Sequence, residues 1–173
     1  PGAPEVAERI GELLGAAGID HRLDPAHGWD HGVFIPLKVM YPNADIPVVA
    51  VSLRADLDPA AHLELGRALA PLRDEGVLIV GSGSSFHHFG NFGREDYAVP
   101  FDSYLHEALV LPQAERDEAL VRWERAPHAR QAHGREEHLL PLMVAVGAAG
   151  DDPARTIFHG RVLGTTMSCW MFG

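Results

Sequence analysis

The chain has 173 residues, 46% hydrophobic and 22% charged, proportions that suit one folded domain with a real core. Asp and Glu outnumber Lys and Arg by 24 to 14, a formal net charge of −10, which argues against nucleic acid or an anionic membrane as the main partner. A single cysteine, Cys169, excludes an internal disulfide and fits a reducing, cytoplasmic setting. No apolar run reaches membrane-spanning length.

Pro4 to Ala17 carries Val6, Ile10, Leu13 and Leu14 at helical spacing, and Gly18 follows as a stop. Ile19 to Leu23 is a short strand candidate. Asp24 to Gly32 is a loop by composition. Pro36 suits the first turn of a short helix from about Ile35 to Tyr41, leaving Asp30 and His31 on the preceding loop. Asp30 there is either a helix cap or a partner for an imidazole. Ile46 to Leu53 contains Val48-Val49-Ala50-Val51 and reads as a strand buried on both faces, as in a parallel sheet. Asp58-Pro59 opens a helix with Leu63, Leu65, Leu69 and Leu72 on its apolar side, ended by Gly76. Val77 to Val80 is the next strand, so 46–80 forms a βαβ crossover.

That strand stops at Gly81-Ser82-Gly83-Ser84-Ser85-Phe86-His87-His88. Small residues after a buried strand let the backbone turn tightly and let a ligand approach, and strand ends of α/β sheets are where ligands bind. Pro100 is expected to start a helix to about Leu111, with another from Glu115 to Arg125. Arg135 to Ala149 is the last helix, with Pro141 bending it or marking a late start. Thr156 to Leu163 and Thr166 to Phe172 read as closing strands. The expected architecture is α/β, a central mostly parallel or mixed sheet flanked by helices, in one domain over residues 1–173.

Eleven histidines are many for this length. His27, His31, His87, His88, His133 and His138 fall in loops and at element ends, where bases and ligands are commonly placed. His21, His62, His106, His128 and His159 read as surface or packing residues, and Cys169 as a buried structural thiol. There is no HExxH helix, paired-cysteine zinc motif or G-x-S-x-G elbow. The residues alone describe an α/β protein with a histidine-rich pocket. A metal site and a hydrolase using His31 and His87 as bases both remain open.

Three blocks resemble one family. They are Asp30-His31-Gly32-Val33 with Pro36-Leu37 and Met40-Tyr41-Pro42-Asn43-Ala44-Asp45-Ile46-Pro47-Val48; Ser82-Gly83 followed by His87; and Arg135-Glu136-Glu137-His138-Leu139-Leu140-Pro141-Leu142. In this order they resemble the class III extradiol ring-cleavage dioxygenases, in the branch that includes 4,5-DOPA extradiol dioxygenase. The resemblance implies that family's α/β fold and a divalent metal, Fe(II) or Zn(II). It also implies a DOPA-like catechol and O2 as substrates, the ring opening beside its two hydroxyls. It makes His87 the acid/base residue, His138 a metal ligand and His31 a second catalytic histidine near substrate or oxygen. His88 and Asp30 join His31 on the substrate side, although His88 stands where close relatives often carry Asn. Two further histidine ligands of the family, in a His-Gly-x-Pro turn and after a Ser-Ala-His-Trp strand end, have no counterpart in this sequence. The first residue is Pro, and the chain reads as an N-terminally truncated version of the fold. The expectation is therefore a fragment, a chain completed by another polypeptide or by homo-oligomerisation, or a non-catalytic scaffold member.

Overall fold

The computed structural model describes residues 1–173. Helix α1 runs Pro4–Ala16, α2 His31–Met40, α3 Pro59–Leu69, α4 Pro71–Asp74 and α5 Glu95–Leu109. Helices α6, Gln113–Val121, α7, Ala129–Ala132, and α8, Leu140–Ala149, follow, and strands β1, Ala154–Val162, and β2, Thr165–Phe172, close the chain. The fold is a helix-rich mixture of α and β.

Two prolines sit deeper in their helices than the sequence implies. α2 begins at His31 because the Asp30 side chain accepts the Val33 N–H at 3.2 Å, which satisfies an otherwise unpaired donor of the first turn. Pro36 then lies inside the helix and cannot donate to the carbonyl of Gly32, four residues back. The Ser82 hydroxyl donates to that carbonyl instead. α5 likewise starts at Glu95, and Pro100 falls within it. Glu95 accepts from Thr166 N and Oγ1, each at 2.7 Å, and so ties the start of α5 to β2. α8 takes the late start: Glu136–His138 forms a separate 3-10 turn and Pro141 occupies the first turn of the helix.

Helices α3 and α8 touch backbone to backbone. A Cβ on Gly66 would lie 2.1 Å from the Val144 carbonyl oxygen, and one on Gly147 2.1 Å from that of Leu63. The main core gathers around this crossing: Leu63 of α3, Phe101, Leu105 and Leu109 of α5, and Leu140, Met143 and Val146 of α8, with Phe86, Leu120 and Trp123. A smaller cluster joins Ile10 and Leu14 of α1 to Leu65, Leu69 and Leu72, and Val49, Val77 and Ile79 pack against it.

The sheet differs from expectation. The only ladder is the antiparallel hairpin β1–β2, so the closing strands form while the parallel strands do not. Val48 makes one isolated parallel bridge to Gly2, and the Val48 N–H donates to Pro1 O at 3.0 Å. The backbones of 49–53 and 78–83 make no hydrogen bond to another backbone group. Residues 77–80 keep the side-chain alternation of a strand: Val77 and Ile79 pack inward, whereas Leu78 is 67% and Val80 49% exposed. A hairpin closes through a local turn, whereas parallel strands need neighbours brought from a distance. Here no neighbouring strand reaches either segment. Cys169 is exposed, not buried; the alternation of β2 turns it away from the buried Ser168 beside it.

Candidate functional site

The loop after Val80 lies flat on the backbone of His138 to Pro141. A Cβ on Gly81 would sit 2.5 Å from Pro141 O, and one on Gly83 2.3 Å from His138 O, so only glycine allows this approach. Ser84 N donates to His138 O at 2.9 Å, and buried Phe86 anchors the loop in the core. One residue on, the His87 N–H donates to Ala132 O at 2.9 Å, and His87 forms a parallel bridge with His133. These bonds tie the His87 backbone to 132–133, just before the 3-10 turn that carries His138, while Ser84 holds the end of that turn.

The two rings meet face to face. His87 and His138 stack with centroids 3.4 Å apart and planes inclined by 14°. Phe89 and Phe92 turn their edges to His87 at 5.0 and 6.4 Å. Nδ1 of His138 is buried and has no hydrogen-bond partner; Glu137 Oε1 stands 3.6 Å away. Burial holds the His138 imidazole below its ordinary pKa, with His87 and His31 acting the same way and Glu137 opposing them. A neutral imidazole with a free inward-facing nitrogen is the form that binds a metal ion.

The other histidines frame this pair. His31, the first residue of α2, is exposed, while Asp30 caps the helix. His88 packs where a Cβ on Gly134 would come within 3.2 Å of its ring, and its Nδ1 is buried without a partner. His133 is fully buried with Nε2 3.1 Å from Ser85 O. A carbonyl only accepts, so Nε2 carries the proton. An apolar cleft of about 280 Å³ runs along α2 beside Trp29, Val33, Phe34, Leu37 and Tyr41. A larger depression of about 500 Å³, around Arg54, Glu64 and Arg67, shares no residue with the histidine group.

Burial drives the His133 pKa down to about 4, with only the Ser85 bond opposing it. Protonation then favours the unfolded chain, whose histidines titrate near about 6.5. Stability is expected to be full above that value and to fall as pH drops toward about 4, by on the order of 3 kcal/mol from this residue. Denaturant unfolding between pH 7.5 and 4.5 measures the loss. His133→Gln, which keeps a donor toward Ser85 O, is expected to flatten it.

Residues 1–169 match the family model described as the catalytic LigB subunit of aromatic ring-opening dioxygenase. The chain belongs to this family. It is 43% identical over 175 residues to the 4,5-DOPA dioxygenase extradiol of Beta vulgaris, covering 97% of this chain and 64% of that one. It is 35% identical over 173 residues to the Escherichia coli K12 protein of the same name, covering 95% and 63%. The crystal structure of an uncharacterised Escherichia coli K12 protein superposes with a TM-score of 0.89 at 34% identity, over all of this chain and 74% of that one. The chain thus spans less than two thirds of the length of these curated relatives. The LigB family assignment agrees with the resemblance carried by the three sequence blocks.

One group escaped the sequence reading. Asp102, His106 and His159 bring three potential metal-ligating atoms within 4.8 Å of one another. The sequence places His106 and His159 among surface or packing residues. The four-residue spacing of Asp102 and His106 on one helix was a visible signal. The arrival of His159 from β1 was not, because it depends on how the hairpin docks.

Proposed function

We propose that the chain forms part of a metal-dependent extradiol dioxygenase that opens a DOPA-like catechol ring with O2. The carrying observation is the His87–His138 stack, held by a loop whose glycines press on the backbone of 138–141. In this reading His87 takes a catechol proton and returns it to the product. His138 is a metal ligand; its free buried Nδ1 and its neutral imidazole fit that role. His31 acts near substrate or oxygen, and His88 and Asp30 lie on the substrate side, Asp30 through its hold on the start of α2. When bound, Fe(II) supplies the one-electron chemistry that triplet O2 requires, whereas Zn(II) would not. The single cysteine fits a cytoplasmic enzyme.

The remaining ligands and the missing strands belong, in this reading, to polypeptide like the remaining third of the relatives' length, from the same chain or a partner. Unpaired backbone in 49–53 and 78–83 and the exposed Leu78 and Val80 support this, because open strand edges attract further strands. Amide exchange of 49–53 and 78–83 is expected to be fast in the 173-residue chain. It should slow by about a hundredfold or more once the complementing segment is joined. Equal exchange in both forms would exclude strand addition. For activity, the completed protein with Fe(II), O2 and DOPA should consume oxygen and form a yellow ring-cleavage product; no product from that form overturns the reading.

A second reading, a non-catalytic scaffold, draws on one observation: the only three-ligand group in the chain is the one that includes Asp102, not His138. Stoichiometric metal at His138 in the completed protein would exclude it.

A further inference from the structure

We propose that Asp102, His106 and His159, with Ser168, form a second metal site that binds one first-row divalent transition ion and fastens the β1–β2 hairpin to α5. Asp102 and His106 lie one turn apart on α5, on one face. His159 and Ser168 are directly opposite each other in the hairpin register and therefore share a face. Docking brings the two faces together. Asp102 Oδ2 lies 3.4 Å from His106 Nε2 and 3.3 Å from His159 Nδ1. Ser168 Oγ lies 2.9 Å from the same His106 nitrogen and 3.0 Å from the same His159 nitrogen.

These four separations, 2.9 to 3.4 Å, lie near the edge length of a small tetrahedral cage. Zinc–nitrogen and zinc–oxygen bonds of about 2.0–2.1 Å place neighbouring ligand atoms about 3.3 Å apart. The group is also held in place. Thr156 Oγ1 stands 3.4 Å from His106 Nδ1, and Trp170 packs edge-on to the His106 ring at 5.3 Å, leaving Nε2 aimed at the centre. Outer contacts of this kind orient ligating imidazoles.

The carboxylate supplies an independent sign. Asp102 is 3% exposed, its Oδ1 has no hydrogen-bond partner, and no Lys or Arg pairs with it. A buried carboxylate calls for a compensating cation, and the only groups beside it are two imidazoles, His106 and His159, which in their neutral form carry no charge and ligate a metal ion. His159 is exposed, so an ion can enter from solvent. Two imidazoles, a carboxylate and a hydroxyl favour Zn(II) or Co(II) over Mg(II) or Ca(II).

The test uses the 173-residue chain carrying His138→Ala, so that the site at His138 contributes nothing. Co(II) is titrated and followed by visible absorption and calorimetry, with Zn(II) as competitor. Expected are one Co(II) per chain, the intense absorption of a tetrahedral ion, displacement by Zn(II), and a higher Tm with metal. Asp102→Asn and His159→Ala, each added to that background and checked for fold by circular dichroism, are expected to weaken binding by about tenfold or more. No saturable binding below millimolar concentration overturns the proposal. So does binding that both added substitutions leave unchanged, or histidine NMR signals of His106 and His159 that zinc does not move.

Discussion

His87→Ala is expected to lower ring-cleavage turnover of the completed enzyme by about a hundredfold or more while leaving its metal content unchanged. The ring sits on a loop fixed by the Ala132 bond and buried Phe86, and it stacks on His138 without sharing a hydrogen bond with it. Removing it takes away a proton-transfer group and leaves the His138 backbone clamp, Ser84 N to His138 O, in place. The loss should fall mainly on kcat, because a proton moved in the transition state contributes little to ground-state binding. Iron analysis alongside kinetics decides the assignment. Metal lost together with activity would make His87 a ligand, and unchanged turnover would remove it from the chemistry.

The second large effect concerns stability. Gly66→Ala and Gly147→Ala are each expected to destabilise the fold by roughly 4 kcal/mol, at the extreme of single-substitution effects. Both residues lie inside helices, where alanine is intrinsically preferred to glycine by about 1 kcal/mol, so propensity alone gives the opposite sign. The geometry overrides it: each new Cβ would stand 2.1 Å from a backbone carbonyl of the facing helix. Backbone cannot rotate away as a side chain can, so α3 and α8 must separate and open the core around Leu63, Met143 and Val146. A Tm lower by on the order of 10 °C, with a lower denaturation midpoint, is the expected readout. Gly15→Ala in α1 is the control. Its Cβ would meet only the His21 ring at 3.6 Å, so it should be neutral or slightly stabilising. Equal effects at all three glycines would refute the backbone-contact account.

Features that depend on neighbours along the chain are legible in the residues alone. Helical spacing located α1 to within a residue, and Asp58-Pro59 located the start of α3; the helix expected to continue to Gly76 instead breaks before Pro71, whose missing N–H ends α3 at Leu69 and opens α4. The two closing strands, expected over 156–163 and 166–172, form over Ala154–Val162 and Thr165–Phe172. Motif blocks located the family and singled out His87 and His138, which the fold then stacks. Local rules failed where a distant group stepped in. Pro36 read as a helix start because its missing N–H strands the Gly32 carbonyl; Ser82, fifty residues away, satisfies that carbonyl. Other features arise only from contacts between elements distant in the chain. The apolar runs at 46–53 and 77–80 carry the composition of buried parallel strands, but a ladder needs a partner strand, and beyond the single Val48–Gly2 bridge they make no strand pairing here. Gly66 and Gly147 gain their meaning only where two helices cross. Asp102, His106 and His159 meet only because the hairpin docks on α5. Spacing along a chain encodes which face a side chain takes; which faces then meet is set by packing of elements far apart in sequence.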